Sequence, residues 1–260
     1  MKSKTINKVK EYFKSKIKPE HRQKVRNIFK KLAPIVFSGN LKILSFIYGT
    51  DKWGGHWYAE HYDRHLREFR KRKITLLEIG IGGHSKSQAG GSSLRMWKTY
   101  FKKGNINGVD IYDKTPHNEK RIKTFKGDEV DEKFLKDVIK EIGTPDIIID
   151  DGSHITDHNI KTFEILFPCL AQDGIYIIED TQTSYWPDFG GTSSDMKNGK
   201  TAMNYFKGLT DSLNYKEFML PNYQPTYFDK NIVAISFYHN LIVIRKGIND
   251  EKSNRNSDVS

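Results

Sequence analysis

The chain has 260 residues, 37% of them hydrophobic, which is enough for one sizeable core with appendages. No run of 18 uncharged apolar residues occurs, which excludes a membrane-spanning helix, and a lone cysteine, Cys169, excludes a disulfide framework or multi-cysteine zinc site. The net charge of +11 sits at one end: residues 1–31 carry 12 Lys and Arg against Glu11 and Glu20, and the rest is nearly neutral, so no nucleic-acid surface is expected on the body.

The opening stretch MKSKTINKVKEYFKSK lacks the apolar core of a secretory signal, so a cytoplasmic location is expected. Ile6, Val9, Phe13 and Ile17 recur at helical spacing among lysines; Pro19 interrupts them, and Val25, Ile28, Phe29 and Leu32 resume the pattern. Residues 1–40 therefore read as a basic helical arm. Such an arm suits peripheral contact with an anionic membrane, or a solvated extension packed on the body or on another subunit of a homo-oligomer. Residues 41–248 form the body, and the polar tail 249–260 is expected to be disordered.

Within the body, strand-like and helix-like runs alternate. Residues 74–79 (ITLLEI) predict a first strand and 93–101 a helix capped by Ser92. Strands follow over 107–111 and 122–125, then a helix over 133–142. Residues 146–149 (DIII) are the continuous apolar strand of a parallel sheet covered on both faces. A helix over 158–167 precedes another buried strand at 174–178. Runs at 232–237 and 241–244 flank a hairpin turn at His239-Asn240. The expectation is an α/β fold: a Rossmann-like doubly wound sheet, mostly parallel, with a C-terminal antiparallel hairpin strand.

LLEIGIGG places Glu78, Gly80, Gly82 and Gly83 just after the first strand, where glycines let the backbone turn tightly and approach a ligand. Asp110 ends the second strand, where a carboxylate can take both hydroxyls of a ribose. Asp128 follows the third, where it can meet an adenine edge. A nicotinamide dinucleotide usually requires its glycines to run straight into a helix that meets pyrophosphate; here residues 84–90 intervene, so a cofactor without phosphates fits better. These features resemble the class I S-adenosylmethionine-dependent methyltransferases. The cofactor candidates are Glu78, Gly80, Gly82, Asp110, Asp128 and Asp150.

The fourth and fifth strands end in Asp150-Asp151-Gly152-Ser153-His154 and Glu179-Asp180, and adjacent strand ends share one crevice. Four carboxylates beside a histidine call for a counter-charge, which a hard divalent cation such as Mg²⁺ would supply. Five stretches, YGTDKWGGHWY (48–58), GGSSLRMWKTYF (90–101), DIIIDDGSH (146–154), GIYIIEDTQTSYW (174–186) and SFYHNLIVIRKG (236–247), resemble the metal-dependent sugar O-methyltransferases of the macrolide, mycinamicin type. The resemblance implies Asp151, Glu179 and Asp180 as Mg²⁺ ligands and His154 as the general base. The basic arm is unlike what that family leads one to expect at the N-terminus.

Physical chemistry fits those roles. A sugar hydroxyl is a poor nucleophile at neutral pH, a metal bound to vicinal oxygens acidifies it, and a histidine can take its proton. Tyr185 and Trp186, beside a glycine-rich loop at 190–194, suit stacking on a sugar ring or ordinary packing. His158 reads as structural. His56, His61 and His65 read as surface or packing residues in an aromatic segment that could cover the cofactor. The expected activity is methylation of a sugar hydroxyl on a surface polysaccharide, glycolipid or glycosylated natural product. Methylation of a catechol or other small vicinal diol is the alternative, and a non-catalytic scaffold is a third reading, opposed by the intact acids and histidine.

Overall fold

The computed structural model describes residues 35–197 and 199–253, with residues 18, 20, 21, 24, 27, 28 and 31. The arm's apolar pattern, apart from Ile28, and the tail beyond residue 253 lie outside the described residues.

The body opens with two short helices that periodicity did not single out. Helix α1 (Leu41–Tyr48) starts where the Asn40 side chain accepts the Ile43 N–H, and it stops at Gly49, whose φ of 72° no helix can continue. Helix α2 (Ala59–Leu66) follows an irregular aromatic stretch. Strand β1 (Thr75–Ile79) leads through the glycine-rich turn to α3 (Ser92–Tyr100), then β2 (Asn105–Asp110) and β3 (Ile122–Lys126). The residue capping α3 is Gly91, with φ 66°, and Ser92 is the first residue of the helix, not its cap. Helix α4 (Glu132–Ile142) is capped by Asp131, whose carboxylate accepts the Phe134 N–H. Strand β4 (Ile147–Asp150), helix α5 (Thr156–Leu166) and strand β5 (Ile175–Glu179) complete the parallel part. Helices α6 (Ala202–Ser212) and α7 (Tyr227–Asn231), also unanticipated, precede β6 (Ile232–Tyr238) and β7 (Leu241–Lys246), joined at His239-Asn240.

Among the described residues the strands form one seven-stranded sheet in the order β3-β2-β1-β4-β5-β7-β6, with β7 antiparallel to both of its neighbours. This is the expected α/β arrangement. Alternation along each strand sorts the core into two layers. Leu76, Ile147, Ile149 and Ile177 face α1, α2 and α3, where they pack with Leu44, Leu66 and Trp97. Leu77, Ile148, Tyr176 and Ile178 face α4, α5 and α6 and pack with Leu135, Phe163 and Phe206. Both faces are buried, which is why β4 and β5 read as unbroken apolar runs. No helix of the described residues is long and apolar enough to cross a membrane.

Candidate active site

Strand order reverses between β1 and β4, and ligands of open parallel sheets bind at the carboxyl ends flanking such a switch. The turn after β1 is built for close approach. A Cβ on Gly80 would lie 1.9 Å from the Asp151 carbonyl oxygen, so this position admits only glycine. Gly82, with φ 76°, has no protein atom nearer than 4.0 Å to where its Cβ would be, so the backbone there is open to a ligand. Asp110 ends β2 with Oδ2 accepting the Ile81 N–H at 3.0 Å and Oδ1 accepting the Tyr112 N–H at 2.9 Å. Each oxygen keeps a further lone pair for a hydroxyl donor.

Residues 84–90, which separate the glycines from α3, are tied down by Lys114. Its buried ammonium donates to the carbonyls of His84 (2.7 Å), Lys86 (3.0 Å) and Ala89 (3.3 Å). Arg95 adds a bond to the Gly90 carbonyl at 3.0 Å.

Two of the cofactor candidates face elsewhere. Glu78 lies on the α1–α3 side of the sheet, where its buried carboxylate meets Ser93 Oγ at 2.9 Å, Trp97 Nε1 at 3.3 Å and Lys52 Nζ at 3.6 Å. Burial raises its pKa to about 7 against the opposing pull of Lys52. Asp150 shares the opposite face with Ile148 and is buried against the Tyr176 hydroxyl at 3.3 Å; burial, reinforced by nearby Glu129, holds its carboxyl well above the usual range. Strand parity turns both acids into the protein's interior. Asp128 is exposed in a turn, with Oδ1 accepting the Val130 N–H.

The chemical side draws together Asp151, His154 and Asp180, one ligand atom of each lying within 4.8 Å of the others. His154 Nε2 is 4.0 Å from Asp151 Oδ1 and 3.7 Å from Asp180 Oδ2. Glu179 stands behind this group. It is buried, accepts a hydrogen bond from Tyr62, and pairs with Lys52 Nζ at 2.5 Å. Lys52 was absent from the sequence-based candidates, yet it is the electrostatic centre of the site. It is 1% exposed and also bonds Asp151 Oδ2 at 2.9 Å. Burial opposes its charge, but Asp151, Glu179 and Glu78 overcome this and hold it cationic, well above its ordinary range. Tyr58 completes the surround by donating to Asp180 Oδ1 at 2.6 Å, while His56, stacked on Tyr58, approaches the same oxygen at 3.5 Å. The segment from Lys52 to Tyr62 therefore packs on the acids of β4 and β5. The signal that could have found it was Lys52, Tyr58 and Tyr62 within ten residues of one another.

The donor set fits a hard divalent cation. Asp151 Oδ1 points into the group while Oδ2 is held by Lys52, and Asp180 presents Oδ2. On the segments that follow β4 and β5, His154 Nδ1, Thr156 Oγ1, Thr181 Oγ1 and Gln182 Oε1 are buried without a partner among the described residues. Polar demand there exceeds what the protein supplies, as suits a site for polar ligands. His158 bonds Ser153 and Glu129, and His61 and His65 pack on Tyr238, so these histidines serve the scaffold. Trp186, 49% exposed, packs against Phe189 and follows a half-buried Tyr185.

A mostly parallel seven-stranded sheet with β7 antiparallel between β5 and β6 is the class I methyltransferase fold, and the open glycine turn after β1 and the acid closing β2 fit it. No protein-family model matches the chain. It is similar to the mycinamicin VI 2''-O-methyltransferase of Micromonospora griseorubida, at 44% identity over 214 residues, covering 82% of this chain and 54% of the relative. It is similar also to the demethylmacrocin O-methyltransferase of Streptomyces fradiae, at 46% identity over 216 residues, with the same shares covered. Among solved structures it resembles MycE methyltransferase of the mycinamycin pathway in complex with Mg and SAH, with a TM-score of 0.81 at 43% identity, over 84% of this chain and 57% of that one. The chain thus spans about half the length of the relatives it matches.

Proposed function

We propose that the chain is an S-adenosylmethionine- and Mg²⁺-dependent O-methyltransferase acting on a sugar hydroxyl. The observation that carries this reading is the convergence of Asp151, His154 and Asp180 beside the open glycine turn. Relatives are named as O-methyltransferases of a rhamnosyl tetracenomycin and of an olivosyl-oleandolide, which supports a sugar-containing acceptor. The +10 charge of residues 1–31 supports peripheral contact of the arm with an anionic membrane as part of the same proposal.

In this reading Asp110 takes the ribose hydroxyls of the cofactor, and Gly82 lets the backbone lie against it. Asp151 and Asp180, with Glu179 behind them, hold the ion. Once bound, a divalent ion acidifies an acceptor hydroxyl, and the sulfonium cofactor offers a methyl with a neutral sulfide as leaving group. His154 Nε2 takes the hydroxyl proton as the oxygen forms its bond to the methyl carbon and the sulfur–carbon bond breaks. Lys52 pairs with both Asp151 and Glu179 and so fixes their carboxyl groups, and Trp186 offers an apolar face to the acceptor. Most of the rate then comes from alignment.

The test is transfer of labelled methyl from S-adenosylmethionine to a panel of glycosides and catechols, with Mg²⁺ or with EDTA. Label should enter sugar hydroxyls, and chelation should abolish it. Turnover in EDTA would make the acids structural, and catechol-only transfer would replace the sugar acceptor.

A further inference from the structure

His154 and Asp180 sit on separate loops, one after β4 and one after β5. Both have left-handed backbone, with φ of 59° and 53°, although neither is glycine. Residues with side chains persist there only where their surroundings over-determine them. One side chain serves both. Thr183 Oγ1 lies 2.8 Å from the His154 carbonyl oxygen and 3.1 Å from that of Asp180, and the residue is 4% exposed. A hydroxyl has one hydrogen to donate, so the two carbonyls share it. Thr183 is itself held firmly. Its N–H donates to the Asp180 carbonyl at 3.2 Å, and its own carbonyl accepts the Trp186 N–H at 2.9 Å. A Cβ on Gly191 would come within 2.4 Å of that carbonyl, so the neighbouring loop closes directly over it.

We propose that Thr183 is a positioning residue: its hydroxyl fastens the histidine loop to the acid loop, setting His154 Nε2 and Asp180 Oδ2 face to face at 3.7 Å. Relaxation of either residue out of the left-handed region re-aims its side chain and separates the base from the acid. The tie is built from backbone carbonyls, so the residue types at 154 and 180 do not provide it. The inference rests on the proposed methyltransferase reading only through its readouts.

The test compares the full chain with Thr183→Val, which keeps the shape but not the hydroxyl, and Thr183→Ser, which keeps the hydroxyl. Mn²⁺ affinity is read by electron paramagnetic resonance titration, S-adenosylhomocysteine affinity by calorimetry, and folding by thermal melting. Thr183→Val should weaken Mn²⁺ binding by about 10–100-fold, the usual effect of removing a group that orients metal ligands. Its affinity for S-adenosylhomocysteine should stay at the wild-type value, and Thr183→Ser should restore Mn²⁺ binding. Wild-type Mn²⁺ affinity in Thr183→Val overturns the proposal. So does a Thr183→Ser variant as weak as Thr183→Val, or a parallel loss of S-adenosylhomocysteine binding, since either marks a merely structural threonine. A wild-type chain that binds S-adenosylhomocysteine but no Mn²⁺ would sink the metal-dependent reading itself, and the inference with it, before any variant is measured.

Discussion

His154 shows how much of this site is decided by single atoms. Its Nε2 faces two carboxylates at 3.7 and 4.0 Å, distances at which the ring can serve them without being bound by either. A general base contributes about 10²–10⁴-fold to a rate, so His154→Ala should lower kcat by that factor. Mn²⁺ and S-adenosylhomocysteine affinities should change little, because Asp151, Asp180 and Asp110 remain. Steady-state kinetics beside an Mn²⁺ titration separates the roles. Loss of metal affinity in the same variant would place His154 on the ion instead. Asp151→Asn should lose both together, since Asp151 connects Lys52 to the group through its second oxygen.

At the scale of elements, the segment between β1 and α3 does most to define the cofactor end. It is neither strand nor helix, and its shape comes from Lys114, which stands four residues beyond Asp110 and collects three of its carbonyls. The same stretch of chain thus supplies the ribose carboxylate and the latch for the loop opposite it. A charged hydrogen bond contributes about 1.5–3 kcal/mol, part of which Lys114 spends on the loop in the absence of ligand. Lys114→Met should therefore weaken S-adenosylhomocysteine binding by about tenfold, or 1.4 kcal/mol, in calorimetry. Affinity unchanged from wild type would show that the loop holds its form without the ammonium. Strands β4 and β5 were legible from composition, because both faces of the sheet are covered and their apolar runs are unbroken. Helices α1 and α2 were not: at eight residues each they present barely two turns of periodicity.

Across the whole molecule, one buried cation joins the two halves of the crevice. Lys52 meets Glu78 at the end of β1, Asp151 after β4 and Glu179 at the end of β5. Burial raises the Glu78 pKa from 4.5 to about 7. A carboxyl whose folded pKa lies above its unfolded one favours folding most at low pH. That contribution is complete below about pH 4.5 and is lost as pH rises through 7. The shift corresponds to about 3 kcal/mol. Glu78→Gln, which stays neutral throughout, should flatten the fall in thermal stability across this window. A melting profile as steep as that of the wild type would assign the pH dependence to other groups.

Much was legible in the chain itself: alternating strands and helices, the glycine turn, Asp110 closing β2, and the acids and histidine beyond β4 and β5. These are local, since a strand end places whatever residues follow it at the sheet's edge. Which way each acid faces depends on parity along its strand. Glu78 and Glu179 share their faces with Leu76 and Ile177, and Asp150 shares the other with Ile148. Lys52 could not be placed from sequence, because it reaches its partners across 26, 99 and 127 positions. Nothing in a lysine's neighbours announces which carboxylates the folded chain will bring to it. The sequence determined which groups the crevice would contain; only tertiary packing decided which are turned inward, which are paired with Lys52, and which are left to meet a ligand. Burial makes an unpaired charge too costly to keep, so each acid's role follows from what it is buried against.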